Sequence, residues 1–218
     1  MDAKLSEEEA ARVYDFLAKF YDLWSALTEA KARRRALELA KIEDGQNILE
    51  AAVGTGTAFR VLVENNPTGF NCGIDISQKM LKQAKAKLAD INRDNYELKE
   101  ASAADLPYTD GKFDLVFNTY MFDLIPQARI GDILEEFRRV LQVDGRLVVV
   151  NMTEGESFAT KTFHQLHSFF YQFAPKLMGG CRPLNLSPHL EAAGFEIISR
   201  KYEQQLFVPS EVLVAVKN

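Results

Sequence analysis

Glu50-Ala51-Ala52-Val53-Gly54-Thr55-Gly56 joins an apolar run to an amphipathic one. Asn47 to Val53 has the composition of a buried strand, and Thr57 to Glu64 that of a helix. A strand that turns through closely spaced glycines into a helix opens a strand–helix–strand unit. Gly54 and Gly56 let the backbone turn sharply and approach a ligand closely. A dinucleotide fingerprint would carry a third glycine for helix–sheet packing, and Phe59 stands at that position. Glu50, just before the turn, is awkward for a pyrophosphate and suits a cationic ligand.

The alternation continues outward from this loop. Phe70 to Ile76 reads as the second strand. Ser77 caps a helix that runs to about Asp90, with Met80, Leu81, Ala84 and Leu88 on one side. Asn95 to Ala101 is a third strand. Phe113 to Thr119 is a fourth, almost wholly apolar and so buried on both faces. A helix over Arg129 to Leu141 leads through Asp144-Gly145 into the fifth strand, Arg146 to Met152. Such alternation predicts right-handed crossovers and a parallel sheet. Phe195 to Glu203 and Ser210 to Val216 are two more strands, joined by a short loop containing Pro209, and they pair antiparallel. Ahead of the sheet, Glu7 to Leu27 carries apolar residues at steps of three and four. A second helix, Glu29 to Lys41, ends before Asp44-Gly45. The expected fold class is α/β: three layers, a mostly parallel sheet with an antiparallel strand near one edge, and an N-terminal helical cap. Residues 1–218 form one domain, with N-terminal helices over 1–43 and an insertion over 154–190.

Composition narrows the function classes. A chain of 218 residues, 47% hydrophobic and 26% charged, fits one large domain that needs no metal or disulfide staple. Cys72 and Cys181 lie far apart and outside any CxxC, which argues for free thiols in a reducing compartment. The net charge of -5 disfavours a nucleic-acid partner. Lys31-Ala32-Arg33-Arg34-Arg35 reads as a solvated helix face. Met1 to Glu9 is polar and acidic, unlike a signal peptide. No apolar run approaches the ~20 residues of a membrane span. A soluble, cytoplasmic protein without stable membrane insertion is expected. Peripheral membrane contact and the oligomeric state stay open.

In open α/β sheets, ligands bind beyond the carboxyl ends of the strands, where the strand order reverses. Glu50, Asp75 and Asp105 fall at or just after such ends, and the fourth strand ends in Asn118-Thr119. Asp75 lies about 20 residues beyond the glycines, where an acid can accept both hydrogen bonds of a ribose diol. A lone glycine pair often only reverses the chain, and a lone Asp after a strand often only caps a helix. Their combination at ordered strand ends points to a cofactor.

At these residues the sequence resembles the class I S-adenosylmethionine-dependent methyltransferases. Ile48-Leu49-Glu50-Ala51-Ala52-Val53-Gly54-Thr55-Gly56 is similar to their first motif, with Ala52 in place of its first glycine and Glu50 in place of the commoner aspartate. Gly73-Ile74-Asp75-Ile76-Ser77 resembles the second-strand motif, and Ala104-Asp105-Leu106-Pro107-Tyr108 the acid-Leu-Pro-aromatic motif. Arg139 to Leu147 resembles the segment leading into the fifth strand, with Asp144 where proline or glycine is usual. Val13-Tyr14-Asp15 and Tyr21-Asp22-Leu23-Trp24 look like the N-terminal motif of the ubiquinone/menaquinone C-methyltransferase-like group. The likeness spans Tyr14 to about Met152, and more loosely Ala193-Gly194-Phe195.

The resemblance implies a Rossmann-like fold with S-adenosyl-L-methionine as cofactor. Glu50 would then act on the methionine ammonium through the loop and water. Gly54 and Gly56, with Ala52, would line the methionine and ribose. Asp75 would hold the ribose hydroxyls, with Ile76 on the adenine and Met80 nearby. Asp105, beside Leu106, would accept from the adenine amino group. Asn118 and Thr119 would meet the methionine end, and Tyr21 would cover the cofactor. Asn151-Met152-Thr153-Glu154 departs from the quinone enzymes, so the acceptor is expected only to be a small, hydrophobic molecule.

Methyl transfer needs alignment and exclusion of water, and a base only if the acceptor must lose a proton. Base candidates are His164 and His167, at i and i+3 on one helical face, and Asp123 after the fourth strand. Ordinary alternatives are a hydrogen-bonded histidine pair and a helix N-cap. No third ligand accompanies the histidines, so no metal is expected. Phe158, Phe163, Leu166, Phe169, Phe170, Tyr171 and Phe173 crowd the insertion, where this class builds its acceptor lid. Competing readings are a cofactor-binding regulatory protein without catalysis, a phospholipid, amine or thiol methyltransferase, and a nicotinamide dehydrogenase, which Phe59 disfavours.

Overall fold

The computed structural model describes residues 9, 12–13, 22–154 and 181–217. Tyr21, His164 and His167 lie outside them, as do residues 155–180 of the expected insertion. Among the described residues the strands are β1 (Asn47–Ala51), β2 (Phe70–Asp75), β3 (Tyr96–Glu100), β4 (Phe113–Thr119), β5 (Leu141–Met152), β6 (Phe195–Gln205) and β7 (Val208–Lys217). They form one sheet in the order β3-β2-β1-β4-β5-β7-β6. Neighbours from β3 to β5 are parallel, whereas β7 runs antiparallel to both β5 and β6. The last two strands form a hairpin through Leu206-Phe207 and so must oppose each other. Strand order reverses between β1 and β4, as the α/β pattern requires.

Side chains two apart share a face of a strand, and this produces the layers. Leu49, Val116, Leu147, Val149 and Leu213 pack with α4 (Gln127–Val140) and α5 (Ser187–Ala192) on one side. Ile48, Leu115, Phe117, Val148, Val150 and Val212 pack on the other. That side is covered by α1 (Ala30–Ala40), α2 (Thr57–Asn65) and α3 (Gln78–Lys87). Each such fully buried side chain contributes about 1.5–3 kcal/mol.

Two glycines set how closely the second layer packs. Gly56 precedes α2 at φ +81°, and a Cβ there would lie 2.9 Å from Ala84 Cα of α3. Gly73 on β2 makes room for the Phe59 ring, which a Cβ would meet at 3.1 Å. The space that a third loop glycine would supply is thus found on the neighbouring strand.

Several boundaries differ from expectation. β5 begins at Leu141, directly after α4: Leu141 pairs with Phe113, the register slips, and Arg146 then pairs with Leu115. Asp144, at φ +62°, therefore sits in an irregularity inside β5 instead of in a turn leading to it. Pro209 lies within β7 opposite Gln204, not in the connecting loop. The basic cluster is no bare solvated face either. Lys31 and Arg35 reach Glu203 of β6 at 2.9 and 3.2 Å, and Arg33 bonds Ser25 at 2.6 Å. Among the described residues no helix is long and apolar enough to cross a membrane, and no cluster of acidic, histidine or cysteine side chains could hold a metal. Cys72 is a buried, free thiol.

Candidate functional site

A cleft of about 880 Å³, counted out to its mouth, opens at the carboxyl ends of β1, β2 and β4. Ala52, Gly54, Asp75, Ile76, Met80 and Thr119 of the expected site line it. Gly54 takes φ +55°, and a Cβ there would point into open space. Ala52 takes φ +58°, a conformation an alanine adopts only under strain. The turn is thus held in the left-handed form at both positions that face the cleft.

Asp75 fixes that turn. Its carboxylate accepts from Gly54 N at 2.8 Å and from Ser77 N at 2.9 Å. Ser77 in turn caps α3 through Met80 N at 3.1 Å. One acid therefore orders the glycine loop, the end of β2 and the start of α3, and faces the cleft.

The remaining residues take other places. Glu50 is 1% exposed, and alternation puts it on the face of Ile48 and Phe117, toward α1. Burial pushes its carboxyl well above the usual range. Arg33 pulls the other way, and Asp75 pushes it up further. Asn118 lies on the opposite face, donating to Ala51 O at 2.8 Å. Among the described residues Glu50 Oε2 and Asn118 Oδ1 are buried without a hydrogen-bond partner. Asn118 Oδ1, at the end of β4 beside the switch point, is an acceptor that fits a ligand carrying N–H groups, whereas Glu50 faces α1 and is held toward its neutral form. Gly56 serves helix packing and does not line the cleft. Asp105 is exposed and off its wall, and Leu106 is core.

Asp123 is not a helix N-cap. It lies inside the 3-10 turn Phe122–Leu124, fully buried, and accepts Met152 N at 3.1 and 3.0 Å on its two oxygens. Burial raises its pKa well above the usual range, against the opposing pull of the Met152 amide and the Arg182 charge.

A general methyltransferase-domain family matches residues 48–145. A demethylmenaquinone methyltransferase of Thermotoga maritima is 31% identical over 180 residues, spanning 80% of this chain and 74% of that protein. The chain belongs to the class I, S-adenosylmethionine-dependent methyltransferase family. It spans between 64% and 74% of the length of demethylmenaquinone methyltransferases of this kind. Solved structures agree on the fold. Geranyl diphosphate methyltransferase, in complex with geranyl diphosphate and sinefungin, superposes with TM-score 0.68 at 12% identity, covering 87% of this chain and 78% of that one. The [4+2]-cyclase SpnF superposes with TM-score 0.77 at 15% identity, covering 98% and 97%.

Part of this methyltransferase's cleft is not marked by motif. Ala101, Ser102 and Ala103 form one wall directly after β3, and Met121, Leu124, Ile125 and Ile133 form the apolar end. Since β3 ends at Glu100, the strand-end rule leads to 101–103 rather than to Asp105. Tyr120 also lines the cleft, at φ +56°, with its hydroxyl 2.8 Å from Ser210 Oγ. A bulky residue in that conformation is an outlier of the kind found at functional sites, and no sequence pattern announces it.

Proposed function

We propose that this chain transfers a methyl group from S-adenosyl-L-methionine to a small, hydrophobic acceptor. The cleft carries the proposal: its polar groups cluster at Asp75 and the glycine loop, while its far end is Met121, Leu124, Ile125 and Ile133. The similarity to demethylmenaquinone methyltransferases supports an apolar, aromatic acceptor. When bound, the cofactor supplies a methyl group on positively charged sulfur, open to in-line displacement. Asp75 would hold the ribose hydroxyls, Ile76 and Met80 would flank the adenine, and Asn118 Oδ1 would accept a hydrogen bond from the methionine ammonium. The apolar walls exclude water and align the acceptor. Asp123 is buried and held toward its protonated form, so it does not serve as a ready base. For an acceptor that must lose a proton, His164 or His167 is the proposed base. A cytoplasmic setting goes with this function.

The test is turnover. The full chain is incubated with S-adenosylmethionine and a panel of hydrophobic phenols, quinols, thiols and amines, with a peptide and an RNA alongside. S-adenosylhomocysteine release with a hydrophobic member is expected. Turnover confined to the peptide or RNA would overturn the acceptor class. Cofactor binding without turnover on any acceptor would favour a non-methylating role, and the SpnF-like fold gives that outcome a precedent in architecture.

A further inference from the structure

Residues 22–28 are helical, and Asp22 at their start touches the glycine loop, yet among the described residues little apolar packing holds the segment there. Leu23, Trp24 and Leu27 are exposed, while the buried side chains are Ser25 and Thr28. Polar contacts do the holding. The Asp22 carboxylate accepts the Thr55 hydroxyl at 2.5 Å and receives Lys87 Nζ at 3.0 Å on both oxygens. Lys87, the last residue of α3, also donates to Thr57 Oγ1 at 2.6 Å and to Thr55 Oγ1 at 3.2 Å. Further along, Gln205 donates to Ala26 O at 2.8 Å. Partial burial alone would raise the Asp22 pKa, but the bonds from Thr55 and Lys87 outweigh it and hold the carboxyl below its usual value.

Thr55 is 3% exposed and sits between Gly54 and Gly56, both at positive φ. Glycines on either side leave the loop many alternative shapes, so a bond that fixes Thr55 removes much of that freedom. A helix held by few apolar contacts opens locally at low free energy. Whatever favours its docking then favours the ordered loop, and the reverse follows by linkage.

We propose that Asp22, held by Lys87, is a positioning residue for the cofactor loop, so that docking of residues 22–28 and binding of S-adenosylmethionine form one linked equilibrium. This rests on the methyltransferase function proposed above.

Trp24 is the chain's one tryptophan and lies next to this contact, so its fluorescence reports docking. Titrating the full chain with S-adenosylhomocysteine is expected to shift Trp24 emission. Asp22→Asn, Lys87→Met and Thr55→Val each weaken affinity roughly threefold to tenfold, as for a half-exposed charged hydrogen bond. The double variant D22N/K87M loses less than the sum of the two single losses, because both remove the Asp22–Lys87 pair. In turnover, KM for the methyl donor rises while KM for the acceptor stays. Asp22 is half-exposed, so D22N is expected to keep its unliganded melting temperature. Parental affinity in D22N, or losses that simply add in the double variant, would overturn the proposal. So would a Thr55→Val protein that binds as the parent does, because Asp22 would then not act through the loop. Failure of the parent chain to bind S-adenosylhomocysteine at all would overturn the cofactor assignment and this proposal with it.

Discussion

Glu50 lies fully buried where its environment opposes its charge. Its raised pKa means that the fold favours the protonated acid. That stabilisation is complete below the ordinary value of 4.5 and is lost as pH rises through the folded value. Glu50→Gln should therefore be more stable than the parent at neutral pH, by roughly 1–3 kcal/mol, and nearly equal to it at about pH 4. Urea midpoints across that range check this, and a difference that does not change with pH would refute it. Asp75, by contrast, already has a donor on each of its oxygens. Asp75→Ala leaves the Gly54 and Ser77 amides without these acceptors and removes the ribose partner. Stability and S-adenosylhomocysteine affinity should each fall by about 1–3 kcal/mol, read by denaturant titration and calorimetry. Loss of stability with unchanged affinity would show that Asp75 only orders the loop.

Among the elements, the turn from β1 to α2 divides its two glycines between different tasks. The motif gives both the same apparent role, and only their neighbours in the fold separate them. At Gly54 a methyl group meets nothing, so Gly54→Ala costs the fold only the left-handed strain, about 1–2 kcal/mol, but intrudes on the cleft. At Gly56 it meets the α3 backbone, so Gly56→Ala adds an overpacking cost of about 1–3 kcal/mol to that strain. The expected pattern is a larger stability loss for Gly56→Ala and a larger loss of affinity per unit of stability for Gly54→Ala. Thermal unfolding with and without S-adenosylhomocysteine measures both, and the reverse order would sink the division. Element existence was legible here because apolar periodicity reports burial directly. Boundaries were not, because Leu141 enters β5 through pairing with Phe113, a contact between distant parts of the chain.

For the whole molecule, the layers and the antiparallel strand beside the edge followed from the order of strands and helices. The site was legible only in part. Asp75, Ile76, Ala52 and Gly54 line the cleft because motif and strand end coincide there. Tyr120 and the apolar end are not legible in the sequence, because a backbone strain and a surface assembled from β4, the 3-10 turn and α4 leave no local pattern. Both core clusters lie against the one sheet whose switch point the cleft occupies, so ligand binding is expected to raise the melting of the domain as a unit. At one hundred times its dissociation constant, S-adenosylhomocysteine adds about 2.7 kcal/mol. In a domain of this size that raises the melting temperature by about 5–10 °C in a single transition. NAD at the same concentration should leave it unchanged, since Phe59 stands where a dinucleotide loop needs glycine. Differential scanning calorimetry with both ligands decides the matter: an equal shift with NAD would mean that the loop accepts a pyrophosphate after all, and the cationic character inferred for the ligand would have to be abandoned.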